Sequence, residues 1–252
     1  MFNRRFSGAR GCILLTTVLL SMPLSSVSSD VLFFDGFDNP NLLGWDVDDS
    51  NPPGDVSVGD GMLSLGNNAG LKIEAPGSYT WKDYTTTFRL RFREREKRAT
   101  FTIFVKFSLG AFGYGRYHQI NFSPYKRGIT AITAYTFNLQ KAPRDEEDLN
   151  QAKRNRGTAK YTFDRNKWHL IEVETVANFV NLFIDGQEVL SYVDDPLLAG
   201  TVGLITNHEW SGRIRVNLDF IRVETEDLLS IKPRHTYVTN WGAIKNSKIE
   251  SQ

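Results

Sequence analysis

The chain has 252 residues, with 30 basic and 29 acidic side chains, four His and a single Cys. A balance this near neutral excludes a dedicated nucleic-acid binder, which would carry a strongly basic domain or stripe. One Cys excludes an internal disulfide framework, and four scattered His, no two at metal-ligand spacing, exclude a zinc site built on paired histidines.

Residues 1–29 read as an export signal: Arg4, Arg5 and Arg10, then an apolar run over 12–20, then a small-residue region over 24–29. The run is too short to span a bilayer, so a cleaved leader is expected rather than a stable membrane insertion. Its removal before Asp30 takes away Cys12, the only thiol, and tips the charge to the acidic side. A secreted or periplasmic protein is expected. At about 195 residues, the segment 30–224 can bury roughly 70% of its unfolded surface in one core without disulfide support.

The first apolar segments, over 31–65, are separated by Asn51-Pro52-Pro53-Gly54, which no strand can cross because two prolines supply no backbone donors. The surrounding acidic residues do not form a helix-loop-helix calcium loop. Asn51 stands where that loop needs Gly, and Ser57 where it needs a bidentate Glu.

Residues 84–95 alternate cleanly. Phe88, Leu90 and Phe92 point one way and Arg89, Arg91, Arg93 and Arg95 the other, the period of a half-buried strand. The Arg row reads either as a site for an anionic ligand, such as a sulfated or uronic polysaccharide, or as a solvated outer face paired with Glu172 and Glu174. The solvated face is the expectation, because charge rows usually mark one.

Further strands are expected over 100–108, 117–123, 129–137 and 159–163, with glycines between them and no useful helical period. Residues 140–157 are too polar to bury a face and are expected to form a surface excursion. From 167 to 223, four apolar runs are punctuated by Asn178, Asp185-Gly186, Gly200 and Ser211-Gly212. Asp185-Gly186 predicts a tight hairpin over 181–192, since Asp and Gly readily take the positive φ that such a turn requires. Residues 225–252, with Tyr237 and Trp241, hold too few apolar side chains for a core of their own. They are expected to lie along the domain or to dock on a protein partner.

Several of these pieces resemble the concanavalin A-like lectin/glucanase superfamily, including its LamG-like and keto-disaccharide hydrolase-like domains. They are Phe34-Asp35-Gly36-Phe37-Asp38 followed by Trp45, Val56 with Gly59-Asp60-Gly61-Met62-Leu63, Trp168-His169, Gly200 with Val202-Gly203-Leu204, and Asp219 before Arg222-Val223. The resemblance implies an all-β fold, an antiparallel jelly-roll β-sandwich. It also implies that a structural calcium, if one is held between the first and last strands, would use Asp35 and Asp219; no other cofactor is expected.

The superfamily's glucanases carry Glu-x-Asp-x-x-Glu on one strand, which sets acid/base and nucleophile carboxylates on one face. That motif is missing. Glu172 and Glu174 are followed by Ala177 where the third carboxylate would stand, and Asp145 to Asp148 are consecutive within the polar excursion. His169 beside Trp168 is expected to be packed.

What remains is a sugar-binding surface. If Phe101, Ile103, Val105 and Phe107 face the core, Phe104 and Lys106 share the opposite face, with Tyr117, Gln119 and Asn121 as polar alternates on the next strand. Tyr135, His208 and Trp210 join them at strand ends and rim, with Tyr114, Tyr125 and Glu209 as further rim residues. Rings stack on sugar CH faces while amides and Lys bond hydroxyls. The expected function is carbohydrate binding, lectin-like, to a glycan or glycosylated surface. The alternatives are a glycan hydrolase or lyase of the same fold, with Glu209 and His118 as acid/base suspects, and a structural surface protein.

Overall fold

A computed structural model describes residues 30–47, 55–95, 99–108, 116–124, 129–138, 147, 151–164, 166–193, 199–208 and 214–225. The leader, the loop at 51–54, Tyr114, Tyr125, Glu209, Trp210, the side chain of His208 and the tail from 226 lie outside the described residues. Among the described residues, no helix is long and apolar enough to cross a membrane.

The described residues form fifteen strands, in order β1 (Val31–Asp35), β2 (Trp45–Val47), β3 (Val56–Gly59), β4 (Met62–Leu65), β5 (Gly70–Ile73), β6 (Tyr84–Arg95), β7 (Ala99–Phe107), β8 (Arg116–Pro124), β9 (Ile129–Asn138), β10 (Lys153–Thr162), β11 (His169–Val176), β12 (Phe179–Ile184), β13 (Gln187–Val193), β14 (Thr201–His208) and β15 (Ile214–Thr225). They form two antiparallel sheets. The first runs β13-β12-β11-β6-β15-β4-β3, with β1 also on β15; the second runs β10-β9-β8-β7-β14-β5-β2. The fold is the expected all-β sandwich.

Alternation builds the core. Phe88, Leu90 and Phe92 of β6 are buried; the two Phe rings meet Phe101 of β7, Phe92 also meets Phe163 beyond β10, and Phe122 of β8 packs on Phe101 and Phe163, mostly edge to face. Each such side chain contributes about 1.5–3 kcal/mol by leaving water.

Three sequence expectations need correction. β10 begins at Lys153, so the last part of the supposed excursion pairs with β9, Lys153 opposite Phe137. As an edge strand it tolerates charge on its exposed positions, which conceals it from a hydrophobic pattern. Glu172 and Glu174 face Thr87 and Thr85, not arginines, and Arg89 reaches Asp219 on β15 instead.

The third concerns β7. Lys106 has φ 50°, and the β7–β14 register shifts between Thr201/Phe107 and Gly203/Phe104. This bulge inserts a residue and breaks the alternation. Lys106 therefore turns inward, 2% exposed. Its Nζ donates to the Ala177 carbonyl at 3.0 Å and lies 3.7 Å from Asp83 Oδ1. Burial lowers its pKa, and Asp83 opposes that.

Asp185 and Gly186 both take positive φ, 52° and 78°, as the hairpin predicts. The Asp185 carboxylate also receives Leu170 N–H at 2.9 Å, His169 Nδ1 at 2.7 Å and Tyr161 O–H at 3.1 Å. Partial burial pushes its pKa up, but these hydrogen bonds outweigh it and hold the carboxyl below its usual value. Its contribution to stability is then present above the unfolded-state pKa of about 4 and lost as pH falls through the lower folded value. We expect Asp185→Asn to destabilise at neutral pH, with the gap to wild type shrinking as urea unfolding is repeated below about pH 4.

Gly200 is a close approach rather than a turn residue. A Cβ there would sit 2.3 Å from the Lys106 carbonyl carbon and 2.6 Å from Phe107 N, both backbone atoms that cannot swing away. Gly200→Ala is expected to cost more than about 3 kcal/mol in urea unfolding, and a loss under about 1 kcal/mol would show that the bulge can yield.

Candidate functional site

The outward face of the second sheet collects most of the described sugar-binding candidates. On β8, His118, Ile120 and Phe122 face the core, so Tyr117, Gln119 and Asn121 face out. Cross-strand register sets Tyr117 opposite Phe137, Gln119 opposite Tyr135 and Phe104, and Asn121 opposite Thr133 and Thr102. Two zones result.

One zone is aromatic. Tyr117 stacks on Phe137 at 4.8 Å and meets Phe104 and Phe107 edge-on, each at 5.4 Å. Beside it, Lys153 Nζ lies 3.9 Å from the Tyr135 ring centroid, a cation–π contact. Burial pushes the Tyr117 phenol up to about 12, so it stays protonated at neutral pH and can donate a hydrogen bond.

The other zone is polar. Asn121 Oδ1 accepts from Gln119 Nε2 at 2.7 Å and Thr102 Oγ1 at 2.9 Å. With its oxygen used twice, the Asn121 amide offers two N–H donors, and among the described residues no acceptor takes them. A ring platform next to oriented amides suits a ligand with apolar CH faces and hydroxyl rims.

Other candidates fall elsewhere. Lys106 leaves this face through the bulge, and Phe107 takes the place assigned to it. His118 points inward and is 2% exposed, edge-on to Tyr192 of the first sheet, with Nδ1 3.5 Å from Thr136 Oγ1. Its parity with Ile120 and Phe122 seals it from the outer face, so it is no acid or base for a ligand there. His208 ends β14, while Trp210 and Glu209 lie outside the described residues.

Asp35 and Asp219 are taken up by neighbouring elements. Both Asp35 oxygens are engaged, by Phe37 N–H and Trp45 Nε1–H at 2.7 Å each, and Asp219 pairs with Arg89 at 2.5 Å. Among the described residues, no group of three or more His, Cys, Asp or Glu could hold a metal ion.

The His169–Asp185 pair looks catalytic in composition but not in setting. His169 is 2% exposed, its Nε2 is buried without a partner, and Phe163 and Tyr161 enclose the ring at 4.9 and 6.1 Å. It fastens the hairpin, as its place beside Trp168 suggests.

Phe137, Phe107, Thr102 and Lys153 are members of this surface that sequence reasoning missed, Lys153 because β10 was hidden in the polar excursion. Parity along β9 and β7 could have found Phe137 and Thr102; only the bulge explains Phe107.

The same sandwich occurs in solved structures of carbohydrate-active proteins. A structure described with endo-acting O-glycanases of the human gut microbiota that initiate mucin breakdown is 18% identical, covers 79% of this chain and 100% of its own, and has a TM-score of 0.57. A Bacillus licheniformis β-glucanase is 12% identical over 80% of this chain and 100% of its own, at 0.56. The κ-carrageenase of Pseudoalteromonas carrageenovora, in complex with an oligotetrasaccharide of κ-carrageenan, is 12% identical over 82% and 99%, at 0.53. At such identity the likeness is one of fold. No curated protein matches the chain in sequence. Residues 31–218, from β1 into β15, match the family described as the 3-keto-alpha-glucoside-1,2-lyase-like domain. The chain belongs to that family, built on the concanavalin A-like glucanase fold.

Proposed function

We propose that this protein is an exported, lectin-like domain that binds a saccharide across the outward face of its second sheet. The observation that carries this reading is the join on β8 of a ring platform at Tyr117 to the oriented amides of Gln119 and Asn121. Sugars present both kinds of surface within one residue, so neighbouring positions on one strand engage a single ring. Export rests on the leader pattern of residues 1–29, and residues 30–224 form the proposed domain. The carrageenase complex and the β-glucanase support the reading, since both are named for polysaccharides and share the fold.

Binding is favoured over glycoside hydrolysis by two carboxylates because β7, β8, β9 and β14 contain no Asp or Glu at any position. Hydrolysis of that kind needs two carboxylates across the scissile bond. These four adjacent strands provide none.

The family match favours a second reading, elimination from a 3-keto-glucoside. A C3 carbonyl acidifies the C2 hydrogen. A base removes that proton, the C1–C2 double bond forms, and the C1–O bond breaks with the leaving oxygen taking up a proton. Such a step needs a base beside the ligand. Beside the platform Tyr117 is held protonated and Lys153 lies over Tyr135, while the carboxylate of Asp46, on β2 two strands beyond β14, is paired with Lys72.

The test is calorimetric titration with neutral, acidic and 3-keto oligosaccharides, followed by mass spectrometry of each ligand. Tyr117→Ala is expected to weaken binding about five- to tenfold through lost stacking, with the ligand recovered intact. Asn121→Ala should weaken it by a similar factor through lost hydrogen bonds. Undiminished binding by both variants would remove the ligand from this face, and an unsaturated keto-sugar product would put elimination first.

A further inference from the structure

The outward face of the first sheet carries most of the charge of its central strands, and not all of it is balanced. Arg89, Arg91 and Arg93 occupy one end of β6, opposite its buried Phe88, Leu90 and Phe92. At the other end the face carries Glu172, Glu174 and Glu224, beside Thr87 and Thr85. Arg222 stands among these carboxylates, opposite Thr87, and pairs with Glu224, while at the arginine end Asp219 engages Arg89.

Trp168 lies over the cationic end. It immediately precedes β11, where His169 pairs with Leu90, so its indole falls across the arginine row. The Arg91 guanidinium carbon is 4.4 Å from the Trp168 ring centroid and that of Arg89 is 5.4 Å away. Stacking fixes the guanidinium plane and strips part of its water.

The two stacked arginines differ in what balances them. Arg89 Nη1 meets Asp219 Oδ2 at 2.5 Å. Arg91 has no such partner: its Nη2 reaches only Met62 Sδ at 3.5 Å, and its Nε is buried without an acceptor. A thioether sulfur is a weak acceptor and carries no charge. Asn217, opposite Arg91, leans on the same sulfur at 3.8 Å, with its own Oδ1 buried and unpartnered. Among the described residues, no carboxylate lies within ion-pair distance of Arg91. Burial lowers the Arg91 pKa, and neighbouring Arg93 adds to this against the opposing pull of Asp219. A row that merely met solvent would leave its cations hydrated. Here one is stacked and desolvated without an anion.

We propose that Arg91, Arg93 and Trp168 form a second saccharide site, selective for acidic sugars. The guanidinium groups receive a sulfate or carboxylate substituent, and the indole stacks on the sugar ring that bears it. A planar fork matches either oxyanion, and its charge-assisted hydrogen bonds are stronger than those a neutral hydroxyl makes. The site lies on the opposite side of the sandwich from the Tyr117 platform, so one polysaccharide chain, or two, can engage both faces.

The test titrates the protein with a chondroitin sulfate tetrasaccharide, an oligogalacturonate and a neutral cello-oligosaccharide of equal length, at low and high salt. The acidic ligands are expected to bind Arg91-dependently and to weaken with salt, and Arg91→Gln should lose about tenfold in affinity for them while keeping the neutral ligand. Exposed Arg93→Gln, whose folding is checked by its melting curve, should show the same selective loss. The proposal is overturned if acidic and neutral sugars bind alike, if both variants bind acidic sugars as wild type does, or if poly-glutamate competes as well as the acidic sugars. That last result would assign the patch to acidic protein. Dependence on Arg91 with only the sulfated or only the uronic ligand would support the site and name its anion.

Discussion

The outer face of the second sheet depends on a hydrogen bond between the sheets, in which the buried Tyr84 hydroxyl of β6 accepts the Lys106 amide of β7 at 2.6 Å and donates toward the Thr201 carbonyl at 3.3 Å. It satisfies backbone groups that the β7 bulge takes out of the ladder, at a place where an unmet donor would cost about 1–3 kcal/mol. Burial raises the Tyr84 pKa, which keeps the phenol in the protonated form that its bond to Thr201 requires. Around this bond, Lys106 crosses to Ala177 and Asp83, and Gly200 passes against the bulge without a side chain. The bulge puts Phe104 and Phe107, three residues apart, on the same side of the sheet. The ring platform around Tyr117 is its outward consequence.

The two outer faces are chemically unlike because the two central strands differ. β8 alternates apolar core residues with Tyr, Gln and Asn, and its neighbours add rings and hydroxyls with hardly a charge. β6 alternates an equally apolar inner row with arginines. The rings and amides along β8 can hold a sugar with little desolvation of ions, whereas the arginine face needs a counter-ion to offset that cost. One sandwich therefore offers two kinds of recognition that do not compete for space.

The solved relatives share the sandwich at 12–18% identity. Fold is set by alternation and core volume, which many sequences satisfy, while chemistry is set by a few outward residues. In this chain those outward residues are rings, amides and hydroxyls on β7, β8 and β9.

Much of the fold was legible locally. Period-two alternation in β6, the Asp185-Gly186 turn and the outward parity of Tyr117, Gln119 and Asn121 each follow from neighbouring residues, because side-chain direction in a strand and positive φ in a tight turn are short-range properties. The inward turn of Lys106 was not legible, since nothing in the run Phe104 to Phe107 announces an extra residue in the pairing with β14. The inward face of His118 followed from parity with Ile120 and Phe122, but its polarity invited a catalytic reading. Arg89 meets Asp219, and Arg91 is left with a sulfur, only because β15 and β4 come to rest where they do. The sequence by itself determined which residues alternate and where the chain reverses. The tertiary structure alone decided register across distant strands, and with it which charges are balanced and which rings meet, because those energies arise only once the sheets have closed on one another.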